Sequence, residues 1–136
     1  MDPVSAVAVF VGAGFGALLR WGLGVALNPL FPSLPPGTLA ANVRGGLLMC
    51  FLLGALLPFA NLPPALRLAL TTGFLGGLTT FSTFSAESLD LLIKQEYPWA
   101  LAHTFAHVLL SLLAAWGGWF LARQAVGLLG SGGAGA

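Results

Sequence analysis

Four stretches poor in Lys, Arg, Asp and Glu follow one another along the chain, each long enough at helical rise to cross a hydrocarbon layer of about 30 Å. The first runs roughly from Val4 to Leu27, carries Gly12, Gly14 and Gly16 with a single charge, Arg20, and stops at Asn28-Pro29. A Pro-rich loop from Pro29 to Pro36 leads into the second, about Gly37 to Leu57. After the break Asn61-Leu62-Pro63-Pro64 the third runs from about Ala65 to Ile93, and the fourth from Pro98 to about Arg123. The pattern predicts an all-α membrane protein of four transmembrane helices, one domain over residues 1–128, with both termini on one side of the bilayer. Inside the third stretch, the paired glycines and consecutive hydroxyl residues between Gly73 and Ser85 hold an unbroken helix poorly, so a break is expected there. The Gly/Ala/Ser segment 129–136 has too little to bury and is expected to be disordered.

Composition removes the alternatives to a membrane protein. A chain of 136 residues that is 57% hydrophobic and 7% charged, with mean hydropathy +0.93, is not a water-soluble fold. Net charge +1 offers nucleic acid no basic stripe, and the single Cys50 excludes a disulfide framework or a thiolate zinc site. Met1-Asp2-Pro3-Val4 lacks the positive start of a signal peptide, so the first stretch is expected to stay as a span. Lys and Arg near span ends normally set orientation. Here Arg67 and Arg123 fall on the side of the termini and Arg20 and Lys94 towards the other, with Arg44 about two turns inside span two. Two readings stand side by side: a weakly specified topology fixed by a partner, or a chain that inserts both ways and pairs antiparallel with itself.

Polar groups inside the spans are the candidate chemistry, because an unpaired polar group in hydrocarbon is costly. In span three Thr72, Gly76, Thr79, Thr83 and Glu87 form one helical stripe, flanked by Thr80, Phe81 and Phe84. Small-residue packing accounts for any one hydroxyl; the group with its double glycine points to a substrate path, since a broken helix at membrane depth lines a cavity or lies buried in protein. Carbonyls freed at such a break can coordinate Na⁺. Phe81 and Phe84 either pack or turn electropositive ring edges towards an anion. Span two lines up Thr38, Asn42 and Gly46, and span four His103, His107 and Ser111, at i, i+4, i+8. Asn42 can donate to an anion or to a neighbouring helix. The histidines suggest a polar track facing span three; with no carboxylate or thiol beside them, a metal or haem ranks lower. Arg20 is near enough to its span end to snorkel, whereas Arg44 is expected at a vestibule or paired with a carboxylate such as Glu87. Gly12, Ala13, Gly16 and Ala17 form a small face for close helix contact. No nucleophile, base and acid set and no phosphate or dinucleotide loop is present, so an enzyme is not expected.

The run Gly73-Phe74-Leu75-Gly76-Gly77-Leu78-Thr79-Thr80-Phe81-Ser82-Thr83-Phe84-Ser85-Ala86-Glu87 closely resembles the signature of the CrcB/Fluc fluoride channel family. Gly16-Ala17-Leu18-Leu19-Arg20-Trp21 and Gly37-Thr38-Leu39-Ala40-Ala41-Asn42-Val43 look like that family's other two motifs, in order and spacing. The resemblance covers all four spans. It implies a channel of the cell inner membrane that lets cytoplasmic fluoride leave passively, built as an antiparallel dual-topology homodimer. It implies a structural Na⁺ at the dimer centre on the backbone carbonyls of Gly76 and Thr79, and a fluoride path along Asn42, Phe81, Phe84, Ser82 and Thr83, to which the span-four spacing is expected to add His107 and Ser111. Arg20 matches the family's span-one arginine, at the vestibule or in packing. This chain departs from the family at Leu75, often cysteine, at Arg44, usually apolar or small, and at His103 and His107; a heterodimer with a diverged copy is the alternative assembly. Competing functions are a small dual-topology multidrug exporter, which needs an acid in the first span that spans one and two lack, a haem subunit on His103 and His107, and a structural subunit.

Overall fold

The computed structural model describes the backbone of residues 2–56 and 61–132 and side chains through residue 128. Everything regular within it is helical. Helix α1 (Pro3–Leu27) starts where the Asp2 carboxylate accepts from the backbone N–H of Val4 and Ser5, at 3.3 and 3.0 Å, and where Pro3 presets the first helical φ. A 3₁₀ turn (Asn28–Leu30) closes it. Helix α2 (Pro36–Phe51) has Pro35 as its N-terminal flank, which offers no side-chain acceptor. Asn28 supplies one from across the loop: its Oδ1 accepts from Gly37 N at 2.8 Å and Thr38 N at 3.2 Å. The Pro-rich loop is thereby closed by one amide. A π-helical segment, Leu52–Leu56, continues α2.

The third stretch is the irregular one. Helix α3 (Pro64–Leu68) passes into a π-helical segment (Ala69–Leu75) and a single turn, α4 (Gly76–Leu78). The chain is then extended at Thr79 (φ −83°, ψ 152°) and Thr80 (φ −150°, ψ 114°) before α5 (Phe81–Ile93). The break expected between Gly73 and Ser85 therefore falls at Thr79 and Thr80. At the end of α5, Gln95 takes a left-handed conformation (φ 60°), with Gln95 N bonded to Leu92 O at 3.0 Å and Glu96 N to Leu91 O at 2.9 Å. Those are the two bonds of a Schellman cap. Helix α6 (Tyr97–Gly132) follows.

Helix α1 lies along the 69–78 segment, α2 lies along α6, and α5 leans on α6. The small face of α1 makes the first contact possible. A Cβ on Gly73 would stand 2.8 Å from Val9 O and 3.2 Å from Gly12 Cα, and one on Gly77 3.0 Å from Ala13 Cα. The buried core is correspondingly thin, Ala41, Leu75 and Leu78 with Leu23, Met49, Leu52 and Phe74 around them. Large apolar side chains cover the outside instead, with Phe10 80%, Trp21 69% and Trp116 67% exposed. Among the described residues three helices are long and apolar enough to cross a membrane: Pro3–Leu30, Pro36–Leu56 and Tyr97–Leu128. The broken stretch, the third of the four expected spans, is not one of these three.

Two expectations change. Residues 129–132 continue α6 rather than starting a disordered tail, and 133–136 lie outside the described residues. Leu57, the expected end of span two, also lies outside them. Arg44 is exposed and makes no hydrogen bond or ion pair with any described residue; Glu87, its expected partner, is engaged by Thr38 and His103. Helical phase decides this: Gly45 faces the protein, so Arg44 beside it faces out.

Candidate functional site

The site begins at the helix break. Thr80 is 9% exposed, and its peptide group has left the helix ladder. Asn42, on α2, replaces the ladder: its Oδ1 accepts from Thr80 N at 2.7 Å and its Nδ2 donates to Thr80 O at 3.0 Å. The Thr80 hydroxyl caps α5, accepting from Thr83 N at 3.0 Å and lying 2.9 Å from Thr83 Oγ1 and 3.2 Å from Ser82 Oγ. In an unbroken helix, Thr80 N would serve the carbonyl of Gly76 and Thr83 N that of Thr79. Both donors are taken, so those two carbonyls lack the partners a helix supplies. The Gly77 carbonyl between them accepts from Arg20 Nε at 3.1 Å.

Aromatic rings rise from the same place. Phe81 is 80% exposed, with its ring centroid 5.4 Å from that of Phe84. The Phe84 ring lies parallel to His103 within 12°, at 5.4 Å, and sits 4.9 Å from His107; the two imidazoles are 4.4 Å apart. A cleft of 420 Å³ opens beside them, lined by Asn42, Thr80, Phe81, Phe84, His107 and Ser111 among others. Its lining holds no charged residue. One turn away a half-buried polar chain runs from Asn28 Nδ2 to Thr38 Oγ1 (3.3 Å), then to Glu87 Oε1 (2.6 Å), with Glu87 Oε2 3.3 Å from His103 Nε2 and Ser88 Oγ 3.0 Å from His103 Nδ1.

Comparison with known proteins gives the family. The family described as CrcB-like protein, Camphor Resistance (CrcB), matches residues 7–119. The chain belongs to that CrcB-like family. It is 55% identical over 113 residues to a protein of Aromatoleum aromaticum, covering 83% of this chain and 86% of that one. It is also 55% identical over 120 residues to one of Cupriavidus pinatubonensis (88% and 95% covered), and 52% over 117 residues to one of Nitrosospira multiformis (83% and 88%). All three relatives carry the name fluoride-specific ion channel FluC. Family membership and three membrane-capable helices make this a multi-pass membrane protein.

In this CrcB-like chain, Asn42, Phe81, Phe84, His107 and Ser111 meet at one cleft, as their stripes on three elements suggest. Ser82 and Thr83 do not line it; their hydroxyls turn back to Thr80. Asn42 is committed to Thr80 rather than free. The role of Thr80 was hidden in sequence, although a Thr three residues before another Thr, at the head of an apolar run, is a helix-start pattern. A carboxylate does lie beside the histidines, contrary to the sequence reading: Glu87, His103 and His107 bring ligand atoms within 4.8 Å of one another. The break rotates α5 independently of the preceding turn, so stripe spacing across residues 79–80 could not place Glu87.

Proposed function

We propose that this chain is a fluoride-selective ion channel that passively releases cytoplasmic fluoride across the inner membrane. The observation that carries the reading is the cleft at the helix break, where amide, imidazole and hydroxyl groups and two phenylalanine rings converge without a formal charge. Fluoride holds its water tightly, so a path must replace that water with donors. The Ser111 hydroxyl, the His107 ring and the electropositive edges of Phe81 and Phe84 supply them, and the absence of a fixed cation keeps the ion from being trapped. Identity of 52–55% to relatives named fluoride-specific ion channels supports the substrate.

In this reading the broken stretch, 64–93, also crosses the membrane, which makes four crossing elements, and the working unit is an antiparallel dual-topology homodimer, with a diverged partner chain as the variant assembly. The near-equal split of Lys and Arg supports it, since neither orientation is favoured. The carbonyls of Gly76 and Thr79, stripped of their helical donors, are the groups suited to a structural Na⁺ shared by two copies; four neutral oxygens match one monovalent charge. Arg20 holds the Gly77 carbonyl and with it the turn that presents them. No covalent chemistry follows from any of these groups.

Fluoride efflux from liposomes holding only the purified chain tests the reading, with chloride as control and Phe81→Ile alongside. Fluoride should leave quickly and chloride should not. Because Phe81 is 80% exposed within one chain, Phe81→Ile should lower the flux at least several-fold while leaving the melting temperature in place. Absence of fluoride flux from folded protein would sink the self-sufficient homodimeric channel.

A further inference from the structure

His103 and His107 stand one turn apart on α6 and differ in one respect. Buried His103 has both ring nitrogens engaged, Nδ1 3.0 Å from Ser88 Oγ and Nε2 3.3 Å from Glu87 Oε2. His107, 4% exposed, has Nδ1 3.3 Å from Asn42 Nδ2, while its Nε2 is buried with no hydrogen-bond partner among the described residues. A buried polar atom without a partner calls for an explanation.

The backbone of Thr80 fixes what that atom is. A peptide N–H only donates and a carbonyl only accepts, so Asn42 must turn Oδ1 to Thr80 N, at 2.7 Å, and Nδ2 to Thr80 O, at 3.0 Å. Nδ2 is therefore the atom that faces His107. An amide nitrogen has no acceptor lone pair, so it donates its second hydrogen and His107 Nδ1 accepts. The neutral ring then carries its proton on Nε2. The orphan is an N–H donor lacking an acceptor.

That assignment separates two ligand chemistries. A metal ion held by His107 Nε2 together with Glu87 and His103 needs a lone pair at that atom, which would move the proton to Nδ1 and set it against the Asn42 N–H, while one held by Nδ1 would displace the Asn42 donor. An anion needs the proton where it is. Glu87 does not answer this donor with either oxygen: Oε1 receives the Thr38 hydroxyl at 2.6 Å and Oε2 faces His103.

We propose that Asn42 acts as a positioning residue rather than an anion ligand: by clasping the Thr80 peptide it locks His107 in the Nε2–H form, and that N–H donates to the permeating anion. The inference rests on the fluoride reading above. It also bears on selectivity, because a neutral donor rewards acceptor strength more than charge, and fluoride is the strongest hydrogen-bond acceptor among the halides. Thr80, Asn42 and His107 thus form one chain from the helix break to the ion.

Two measurements test it. In solid-state ¹⁵N NMR of histidine-labelled protein in lipid, with His103→Gln used for assignment, His107 should show a protonated Nε2 and a bare Nδ1. Sodium fluoride should shift the Nε2 resonance and sodium chloride should not. A proton on Nδ1, or equal response to both salts, overturns the proposal. In liposome efflux, His107→Leu should lower fluoride flux roughly tenfold, the order expected for losing one hydrogen bond to an ion, and His107→Gln, which keeps an N–H donor, should recover most of it. Unchanged flux in His107→Leu overturns this inference and leaves the channel reading standing. A wild-type chain that passes no fluoride overturns the homodimeric channel reading, while the NMR result still decides the tautomer.

Discussion

At the scale of single residues, the break is held by substitution of one amide for another. Thr80 gives up its helical bonds and recovers both from Asn42, which sits 38 residues away in sequence. The exchange is close to neutral so long as the amide is present. Removing it leaves a buried N–H and a buried carbonyl unpaired, at about 1–3 kcal/mol each. Asn42→Ala should therefore lower the melting temperature of the detergent-solubilised protein by many degrees, with Asn42→Asp intermediate, because a carboxylate still accepts from Thr80 N but cannot donate to Thr80 O. A melting temperature unchanged in Asn42→Ala would show that the break stands without the amide. Arg20 plays a lesser part of the same kind, one donor on the Gly77 carbonyl.

At the scale of elements, two contacts decide how the helices meet. Helix α1 can approach the 69–78 segment only because glycine stands at the crossing: a Cβ on Gly16 would come within 2.8 Å of Leu78 N and 3.0 Å of Phe74 C. Gly14, on the opposite side, has nothing within 4 Å. Gly16→Ala should cost about 1–3 kcal/mol through forced separation, while Gly14→Ala should be neutral or stabilising by up to roughly 1 kcal/mol; chemical unfolding in mild detergent distinguishes them, and equal effects would refute the crossing. The α5–α6 corner offers the converse. Gln95 holds φ 60°, a conformation that costs a side-chain residue about 1 kcal/mol more than glycine. Gln95→Gly should raise stability by about that amount, and a loss instead would mean that the Gln95 side chain contributes contacts of its own. The sequence made the helices and the position of the break legible, because apolar run length, Pro pairs and the Gly-Gly and Thr-Thr runs act locally. Partners across the break were not legible. Helical spacing assumes one continuous helix, so it put Thr83 and Glu87 in line with Thr72, and it could not see that Ser82 and Thr83 would turn to Thr80 or that Glu87 would meet His103. The amide of Asn28 capping α2 across a Pro-rich loop was hidden for the same reason, being a contact between segments rather than within one.

At the scale of the molecule, a single chain buries little and exposes much: its core centres on Ala41, Leu75 and Leu78, while phenylalanine and tryptophan cover the outside. Lipid accounts for a uniform apolar surface, yet Gly76 is exposed as well, and its carbonyl is one of the two that lost a helical donor at the break. Lipid cannot satisfy freed carbonyls. Within one chain a Cβ on Gly76 would meet only Thr71 O, at 3.7 Å, an ordinary contact, so the chain itself has room for a side chain to start there. Loss of assembly with the helices intact would then point to a contact outside the chain. If two copies meet at this point around Na⁺, Gly76→Leu places a bulky group on the shared axis and should give a protein with wild-type helix content that sediments as a monomer and no longer gains thermal stability from sodium over potassium. The wild-type chain should sediment as a dimer and gain stability from sodium. A Gly76→Leu protein that remains dimeric and sodium-stabilised would remove Gly76 from the interface, and the unpaired carbonyls at the break would then need a partner within the membrane other than a second copy of the chain.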